Sequence, residues 1–239
     1  MTQSFRALLL AAGLGTRLRP LTLNTPKCLV SIGGEPLLGR WLRQLESTGC
    51  ESVLINGHYL SGQVEEFISH WPRGDMSIQY VYEKQLLGTA GTLVANKDFF
   101  AGTTGLLIHA DNLMVGSLSD FLYAHYHRHS SCLLTMLTFI TQDPNSCGIV
   151  KTNDSGIVTD FFEKASDPPG NLANGALYAF DPSFVDFICE HHPLSIDFST
   201  QVIPTLMGRI QTWLTHQPYL DIGTPTSLAI AQHLLSTKS

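Results

Sequence analysis

Charge is scarce in this sequence. Only 14% of its 239 residues are charged, and acids outnumber bases 20 to 14, for a net charge of −6. A surface that neutralises a phosphodiester backbone needs an excess of Lys and Arg, so a nucleic-acid partner is not expected. Cysteine is sparse as well: Cys28, Cys50, Cys132, Cys147 and Cys189 are odd in number and contain no C-x-x-C pair. That argues against a disulfide framework or a zinc site, and it suggests a reducing, cytoplasmic setting. No apolar run reaches the length of a bilayer, and no basic leader precedes the first one, so neither a membrane partner nor a signal peptide is expected. Internal repeats and low-complexity linkers are missing too. With 44% hydrophobic residues, the chain has a globular composition and can bury a sizeable core.

The most informative stretch lies at the start. The apolar run Phe5–Leu10 reads as a buried parallel strand, and it runs into Ala11, Ala12, Gly13, Leu14, Gly15, Thr16 and Arg17. Gly13 and Gly15 allow backbone conformations that a Cβ resists, so successive N–H groups can point at one anion. Arg17 adds a planar fork for phosphate oxygens, and Lys27, behind Pro26, adds a compact point charge. Two other glycine signatures do not fit. Leu18 stands where the dinucleotide fingerprint G-x-G-x-x-G has its third glycine, and no G-x-x-x-x-G-K-[ST] string occurs. A tight turn carrying surface cations is the plainer alternative.

Strand-like and helix-like segments alternate through the first half. Strands are expected at Phe5–Leu10, Ser52–Asn56, Ser77–Glu83 and Gly105–Ala110. Helices are expected at Pro36–Ser47, Ser61–Ser69 with Ser61 as N-cap, Thr89–Asn96 and Leu118–His129. Repeated β-α units imply a mostly parallel sheet with right-handed crossovers. The second half is β-rich: Cys132–Phe139, Gly148–Thr152, Ile157–Glu163 and Ala176–Phe180, with a hairpin turn at Asn153–Gly156. Helical patterns return at Ser183–Glu190, Ser199–Met207 and Thr224–Leu235. The expected organisation is a single domain, 1–239, with one lobe over 1–130 and another over 131–239.

In open α/β sheets, ligands sit beyond the carboxyl ends of the strands. Asp111 follows one such apolar run, and Asp221 lies in Tyr219-Leu-Asp-Ile-Gly-Thr-Pro225. Either could ligate magnesium, which prefers hard oxygens and takes one or two carboxylates. Either could equally be a turn or helix-cap residue. Glu163-Lys164 closes a β stretch and could meet hydroxyl and phosphate groups, or simply pair with itself. Asn174-Gly175 sits at the expected mouth of a strand. His125 and His129 share one helix face, but no third ligand is apparent, so they read as a solvated face. Cys147 reads as structural, because no base accompanies it.

Taken together, these residues resemble the sugar nucleotidyltransferases, or NDP-sugar pyrophosphorylases. The resemblance is carried by Leu10–Thr22, Pro26-Lys27, Ile32-Gly-Gly-Glu-Pro36, Leu87-Gly-Thr-Ala-Gly91, Asp111, Glu163-Lys164, Asn174-Gly175 and Asp221–Pro225, in the family's order. It implies a Rossmann-like three-layer α/β sandwich with a mostly parallel mixed central sheet, of the nucleotide-diphospho-sugar transferase type. It implies that an NTP and a sugar 1-phosphate give an NDP-sugar and pyrophosphate by in-line attack on the α-phosphorus, with Mg2+ as cofactor. The resemblance would place Ala11, Ala12, Gly13, Gly15 and Thr16 on the NTP phosphates, and Glu83, Gly88 and Thr89 on the nucleotide. Arg17 would stabilise the departing pyrophosphate and Lys27 would hold phosphate near the reacting centre. Asp111 and Asp221 would hold the metal. Gly148, Glu163, Lys164 and Asn174 would meet the sugar phosphate. The Leu87–Gly91 loop looks most like the mannose-1-phosphate guanylyltransferase branch, which favours GTP, although uridylyl and thymidylyl enzymes have related loops.

The pattern departs from the family's at two places: Ala110 precedes Asp111 where glycine is usual, and Cys147 precedes Gly148 where an aromatic is common. No β-helix acyltransferase or regulatory domain is expected after the Asp221 motif within these 239 residues. A homo-oligomer stays open. Two rival classes are a non-catalytic nucleotide-sugar sensor or assembly subunit of the same fold, and a nicotinamide-dependent oxidoreductase. The first would be favoured by loss of Arg17, Lys27 or a metal carboxylate, and the missing third glycine counts against the second.

Overall fold

The computed structural model describes residues 4–236. In chain order these form β1 (Phe5–Leu10), β2 (Ser31–Ile32), β3 (Glu35–Pro36), α1 (Leu37–Ser47), β4 (Cys50–Gly57), α2 (Ser61–Ser69), β5 (Ser77–Tyr82), α3 (Gly88–Ala95), β6 (Thr104–His109), β7 (Asn112–Met114), α4 (Leu118–Tyr126), β8 (Leu134–Ile140), β9 (Gly148–Thr152), β10 (Val158–Glu163), β11 (Leu172–Phe180), α5 (Pro182–His191), β12 (Ile210–Leu214), β13 (Tyr219–Asp221) and α6 (Pro225–Ser236). The expected α/β class is present, and the sheet is mixed. No described helix is long and apolar enough to cross a membrane. The contacts gather the chain into two compact units. One holds the residues up to Leu86, Ile108–Gly116 and those from Gln217 onward; the other holds Leu87–Leu107 and Ser117–His216. The grouping therefore does not break at residue 130, because the chain crosses between units four times.

In the first unit β4 is flanked by β1 and β5, both parallel to it, as β-α alternation requires. Burial on both faces explains the nearly unbroken apolar sequence of β1. The end of the β6 segment belongs here too, with Ala110 N–H donating to Leu10 O at 3.1 Å. Helix α1 buries Leu37, Leu38, Trp41, Leu42 and Leu45 on one stripe. A smaller core joins Leu18, Ile32, Leu37, Leu113, Ile222 and Ala231, so the segment after β1, the ribbon β7/β13 and helix α6 are packed together. Helix α2 starts at Ser61, but its N-cap is Leu60 at φ 51° with no side-chain cap bond, so Ser61 does not cap it. At α6, Ser227 N–H donates to Thr224 Oγ1 and Thr224 N–H to Ser227 Oγ, each at 3.1 Å. This reciprocal cap leaves Asp221 free for another role.

The second unit is mainly antiparallel. Strand β9 pairs with β10 and β11, β11 with β8, and β12 runs parallel to β8. The β9–β10 hairpin turns at Asn153–Gly156, where Gly156 N–H donates to Asn153 O at 2.9 Å. Strand β11 begins at Leu172, earlier than expected, so Asn174 lies within it rather than at its mouth. The helical pattern at Ser199–Met207 becomes a π-type turn, Phe198–Val202, and a 3₁₀ turn, Ile203–Leu206. Pro204 lacks the N–H that an α-helix would use there. Phe100, Phe180, Phe184, Phe198 and Tyr178 pack ring against ring in the core.

Helix α4 ends at Tyr126, short of His129, and His125 is fully buried rather than solvated. A helix face is solvated only if nothing covers it, and here β8 and the start of α5 do. The His125 Nε2 lies 3.4 Å from Asp181 Oδ1, and Nδ1 lies 3.0 Å from Thr135 Oγ1. Arg128 also binds Asp181 and donates to His125 O at 2.9 Å. Arg128 Nη1, which can only donate, also lies 3.4 Å from Nε2, so that nitrogen is shared between a donor and a carboxylate. Burial pushes the His125 ring below its ordinary pKa, so it is neutral at pH 7. The hydrogen bond from His125, joined by the Arg128 bond and charge, holds the Asp181 carboxyl down at about 2.

Unfolded Asp titrates near ~3.9, so the Asp181 contribution is whole above that pH and fades as pH falls through its folded value. Asp181→Asn should therefore lower the melting temperature at pH 7, and the gap to wild type should close towards pH 2. A gap that persists unchanged at pH 2, followed by circular dichroism, would contradict the charge-based account.

Candidate active site

Strand β1 ends at Leu10, and the next N–H, on Ala11, donates to Asn56 Oδ1 at 2.7 Å. The Asn56 amide in turn donates from Nδ2 to Glu83 Oε1 at 2.9 Å. Glu83 is buried, and its backbone N–H is fixed to Gly57 O at 2.8 Å. Of the residues expected at the nucleotide, Ala11 and Glu83 are thus linked through a side chain that the sequence reading did not single out. Asn56 lies opposite Leu10 in the β1–β4 register. Its signal was a lone amide closing an apolar strand.

Beyond Ala12, the backbone N–H groups of Gly13, Leu14 and Gly15 have no acceptor among the described residues. Gly15 has φ +61°, and an added Cβ would sit 2.9 Å from Thr22 Cγ2 and 3.2 Å from Lys27 Cβ. The Thr22 hydroxyl donates to Gly15 O at 2.6 Å and locks the turn. Gly13 differs: its φ is not positive, and nothing lies within 4 Å of an added Cβ. The conformational reason for glycine holds at Gly15 and not at Gly13. Thr16–Leu18 then forms a 3₁₀ turn that presents Arg17, whose side chain is 62% exposed.

Lys27 is almost fully buried, and its ammonium is shared between two carboxylates. It binds Asp111 Oδ2 and lies 3.3 Å from Asp221 Oδ1. The other Asp221 oxygen lies 3.5 Å from the Arg17 guanidinium. Burial by itself would lower an ammonium pKa, but the two carboxylates outweigh it and hold Lys27 above its ordinary value. Burial would likewise raise the Asp111 carboxyl. The Lys27 charge, His109 and the Lys27 hydrogen bond instead bring it below the usual range.

The ribbon explains how residues so far apart in sequence meet. Asp221 faces Asn112 across β13/β7, and Ile222 N–H donates to Asp111 O at 3.1 Å. Trp41 Nε1 donates to Asn112 O at 2.9 Å, and Asn112 Nδ2 to Tyr219 Oη at 3.0 Å. Among the described residues no group of three or more His, Cys, Asp or Glu could hold a metal. Two convergent carboxylates nevertheless suit magnesium, which completes its shell with phosphate oxygens and water.

The second unit gathers the remaining expected residues into two sets. Gly148 and Glu163 face each other across β9/β10, and an added Cβ on Gly148 would lie 2.7 Å from Glu163 Oε2. Lys164 pairs with Glu163 at 3.2 Å and keeps most of its side chain in solvent. Asn174 follows Ala173, which faces Ile149, so it lies beside the Gly148 end of β9. The β11 register shifts between Asn174 and Tyr178, where Asn174 Oδ1 accepts from Ala176 N–H at 2.9 Å and Nδ2 donates to Tyr178 Oη at 2.8 Å. The bulge fixes the Asn174 amide in one orientation. In the other set, Gly88 has φ +77° at the start of α3, and Thr89 Oγ1 accepts from Phe198 N–H at 2.7 Å. Cys147 is a free, half-buried thiol, as are all five cysteines free.

The nucleotidyl transferase family model matches residues 6–238. Over 94% of its length the chain is 29% identical to the mannose-1-phosphate guanylyltransferase of Mycobacterium tuberculosis. It is also 29% identical, over 92% of its length, to the mannose-1-phosphate guanylyltransferase catalytic subunit beta of Drosophila melanogaster. It spans about three-fifths of those relatives, 62% and 60% of their lengths. Among solved structures it is similar to a Bacillus anthracis protein described as a glucose-1-phosphate thymidylyltransferase, with TM-score 0.85, 21% identity, and coverage of 97% of this chain and 95% of that one. It is also similar to HddC of Yersinia pseudotuberculosis complexed with GMP-PN, with TM-score 0.79, 20% identity, and coverage of 96% and 98%. At such identities the structural likeness speaks for the fold alone.

The two glycines of the turn should respond differently to a methyl group. Gly15→Ala should cost about 1–2 kcal/mol, the penalty for a side chain in the left-handed region. Gly13→Ala should stay within about 0.5 kcal/mol of the original stability. Urea denaturation of both variants measures this, and equal losses would refute the distinction.

Proposed function

This chain belongs to the nucleotidyl transferase family, and from that premise we propose that it couples an NTP to a sugar 1-phosphate, forming an NDP-sugar and pyrophosphate. The observation that carries the reading is the constellation of Lys27, Asp111, Asp221 and Arg17 beside a turn with unsatisfied N–H groups. A simple nucleotide-binding turn has no use for two convergent carboxylates and a buried ammonium. Transfer at a phosphorus does, because negative charge must be positioned and offset while the bond changes.

An oxygen of the sugar phosphate attacks the α-phosphorus. The bond from that phosphorus to the bridging oxygen of the β-phosphate breaks, and pyrophosphate leaves with the electron pair. The N–H groups of Gly13 to Gly15 and the Arg17 guanidinium bind the β- and γ-phosphates and offset the charge of the departing group. Lys27 remains protonated at pH 7 and attracts the reacting phosphates. Asp111 and Asp221 are the residues that would hold magnesium, whose chemistry there is neutralisation of phosphate charge. The Asn56–Glu83 pair fixes the backbone at Ala11 and so the start of the phosphate turn. Gly88 and Thr89 take the base. Glu163 and Asn174 meet sugar hydroxyls, Lys164 the sugar phosphate and the Gly148 backbone the ring. The names of the curated relatives support GTP and mannose 1-phosphate as substrates.

Pyrophosphate release, measured over four NTPs and several sugar 1-phosphates with magnesium, should be greatest for GTP with mannose 1-phosphate. Release with no pair, from a folded protein, would refute the transferase reading in favour of a nucleotide-sugar sensor. Arg17→Ala should lower turnover by roughly 10²–10³-fold, the usual cost of removing one preorganised charge donor. Because Arg17 is largely exposed, its melting temperature should hold.

Removing either carboxylate should raise the magnesium concentration needed for half-maximal rate. Unchanged magnesium titrations for both Asp111→Asn and Asp221→Asn would reject the shared site.

A further inference from the structure

We propose that the segment Ile196–Gln201 is a positioning strap that fixes the base-reading loop and the sugar-reading Asn174 relative to each other, and that Gln201 holds the strap in shape. The proposal rests on the function assigned above, and it adds residues that take no part in that assignment.

At one end the strap grips the first turn of α3. Ile196 O accepts from Ala90 N–H at 3.0 Å, and Phe198 N–H donates to Thr89 Oγ1 at 2.7 Å. Residues 196 and 198 are two apart, so in extended backbone they present the same edge. The Ala90 N–H is one of the donors that a helix start leaves without a partner, and the strap supplies its acceptor. Contact is close enough to dictate sequence. A Cβ on Gly88 would lie 2.3 Å from Ile196 O and 2.5 Å from Ile196 Cγ2, so only glycine fits beneath the strap.

At its other end the strap reaches the sugar set. The Phe198 ring packs 4.7 Å from the ring of Tyr178, a buried side chain that ends in a hydroxyl. That hydroxyl accepts from Asn174 Nδ2 at 2.8 Å. One short segment therefore contacts Gly88, Thr89 and Ala90 directly, and Asn174 through one side chain.

The strap does not hold this form by burial at Ile196, which is 60% exposed. Its shape depends on two acceptors. Gln201 Oε1 takes Ile196 N–H at 2.6 Å and Asp197 N–H at 2.9 Å, and Asp197 Oδ1 takes Thr200 N–H at 2.7 Å. The Gln201 side chain contributes only an acceptor oxygen to these bonds, so a glutamate can replace it and an apolar side chain of similar length cannot.

The test measures KM for both substrates, kcat and hydrogen exchange at Ala90 in wild type, Gln201→Met, Gln201→Glu and Tyr178→Phe. Gln201→Met should raise KM for the nucleotide about tenfold, the effect of losing roughly one net hydrogen bond. Its kcat should change less than about twofold, because the base lies away from the reacting atoms. Ala90 exchange should quicken. Gln201→Glu should keep both KM values within about twofold of wild type, a rescue that a packing role would not give. Tyr178→Phe should raise KM for the sugar phosphate. The double variant Gln201→Met with Tyr178→Phe, measured alongside, should lose less than the product of the single effects, since both act through one strap.

The proposal is overturned by unchanged KM values in Gln201→Met, by equal losses in Gln201→Glu and Gln201→Met, or by a fully multiplicative double variant. A wild type that transfers no nucleotidyl group overturns the assigned function, and the strap's role with it. A wild type that transfers one, with KM unmoved in Gln201→Met, overturns the strap alone.

Discussion

A buried ammonium governs the arrangement of the first unit. Lys27 cannot stay charged out of water without countercharge close by, and Asp111 and Asp221 supply it. Neither carboxylate is near Lys27 in sequence. Each must be delivered by a separate segment, and that is the task of the ribbon β7/β13, whose register sets Asp221 opposite Asn112. The indole of Trp41 and the hydroxyl of Tyr219 tie the same ribbon to α1 and to itself. The packing of Leu113 and Ile222 with α6 fixes its depth. Stability and chemistry converge on one constraint: elements that keep Lys27 charged also hold two hard-oxygen donors side by side.

The glycine turn is built against that same residue. Gly15 folds tightly because Thr22 and Lys27 occupy the space where its Cβ would be. The backbone before it is fixed at Ala11 through Asn56 and Glu83. Between those two anchors the N–H groups of Gly13 to Gly15 stay available, which is the condition for anion binding by backbone. A rigid frame with a short unsatisfied stretch is preorganised, and charge stabilisation gains most from groups that need not reorganise.

The second unit reaches a similar end with β geometry. The register shift in β11 turns Asn174 into a fixed amide, and Gly148 is tucked against Glu163 on the neighbouring strand. Its aromatic core packs ring against ring, and the His125–Asp181–Arg128 cluster lies at the far end of β11 from Asn174. The segment Ile196–Gln201 meets the turn at Thr89 through hydrogen bonds and this core through the Phe198 ring.

Local pattern carried the parts of the protein whose signals are local. The apolar run of β1, the stripe of α1, the hairpin turn at Asn153–Gly156 and the cation-bearing glycine turn were all legible, because periodicity and turn chemistry act over a few neighbouring residues. The family was legible too, and the structure brings together Lys27, Asp111 and Asp221, three of the residues that the sequence singles out. What the sequence could not hold was partnership. Strands of three residues, such as β7 and β13, are too short to show a period, and their register comes from packing. Burial of His125 depends on what covers α4, and the Asn56–Glu83 link depends on two parallel strands lying side by side. By itself the sequence determined which groups are available and the local shapes that carry them. The tertiary structure decided which of them meet, because the energy of a buried charge or amide depends on neighbours that only the folded chain provides.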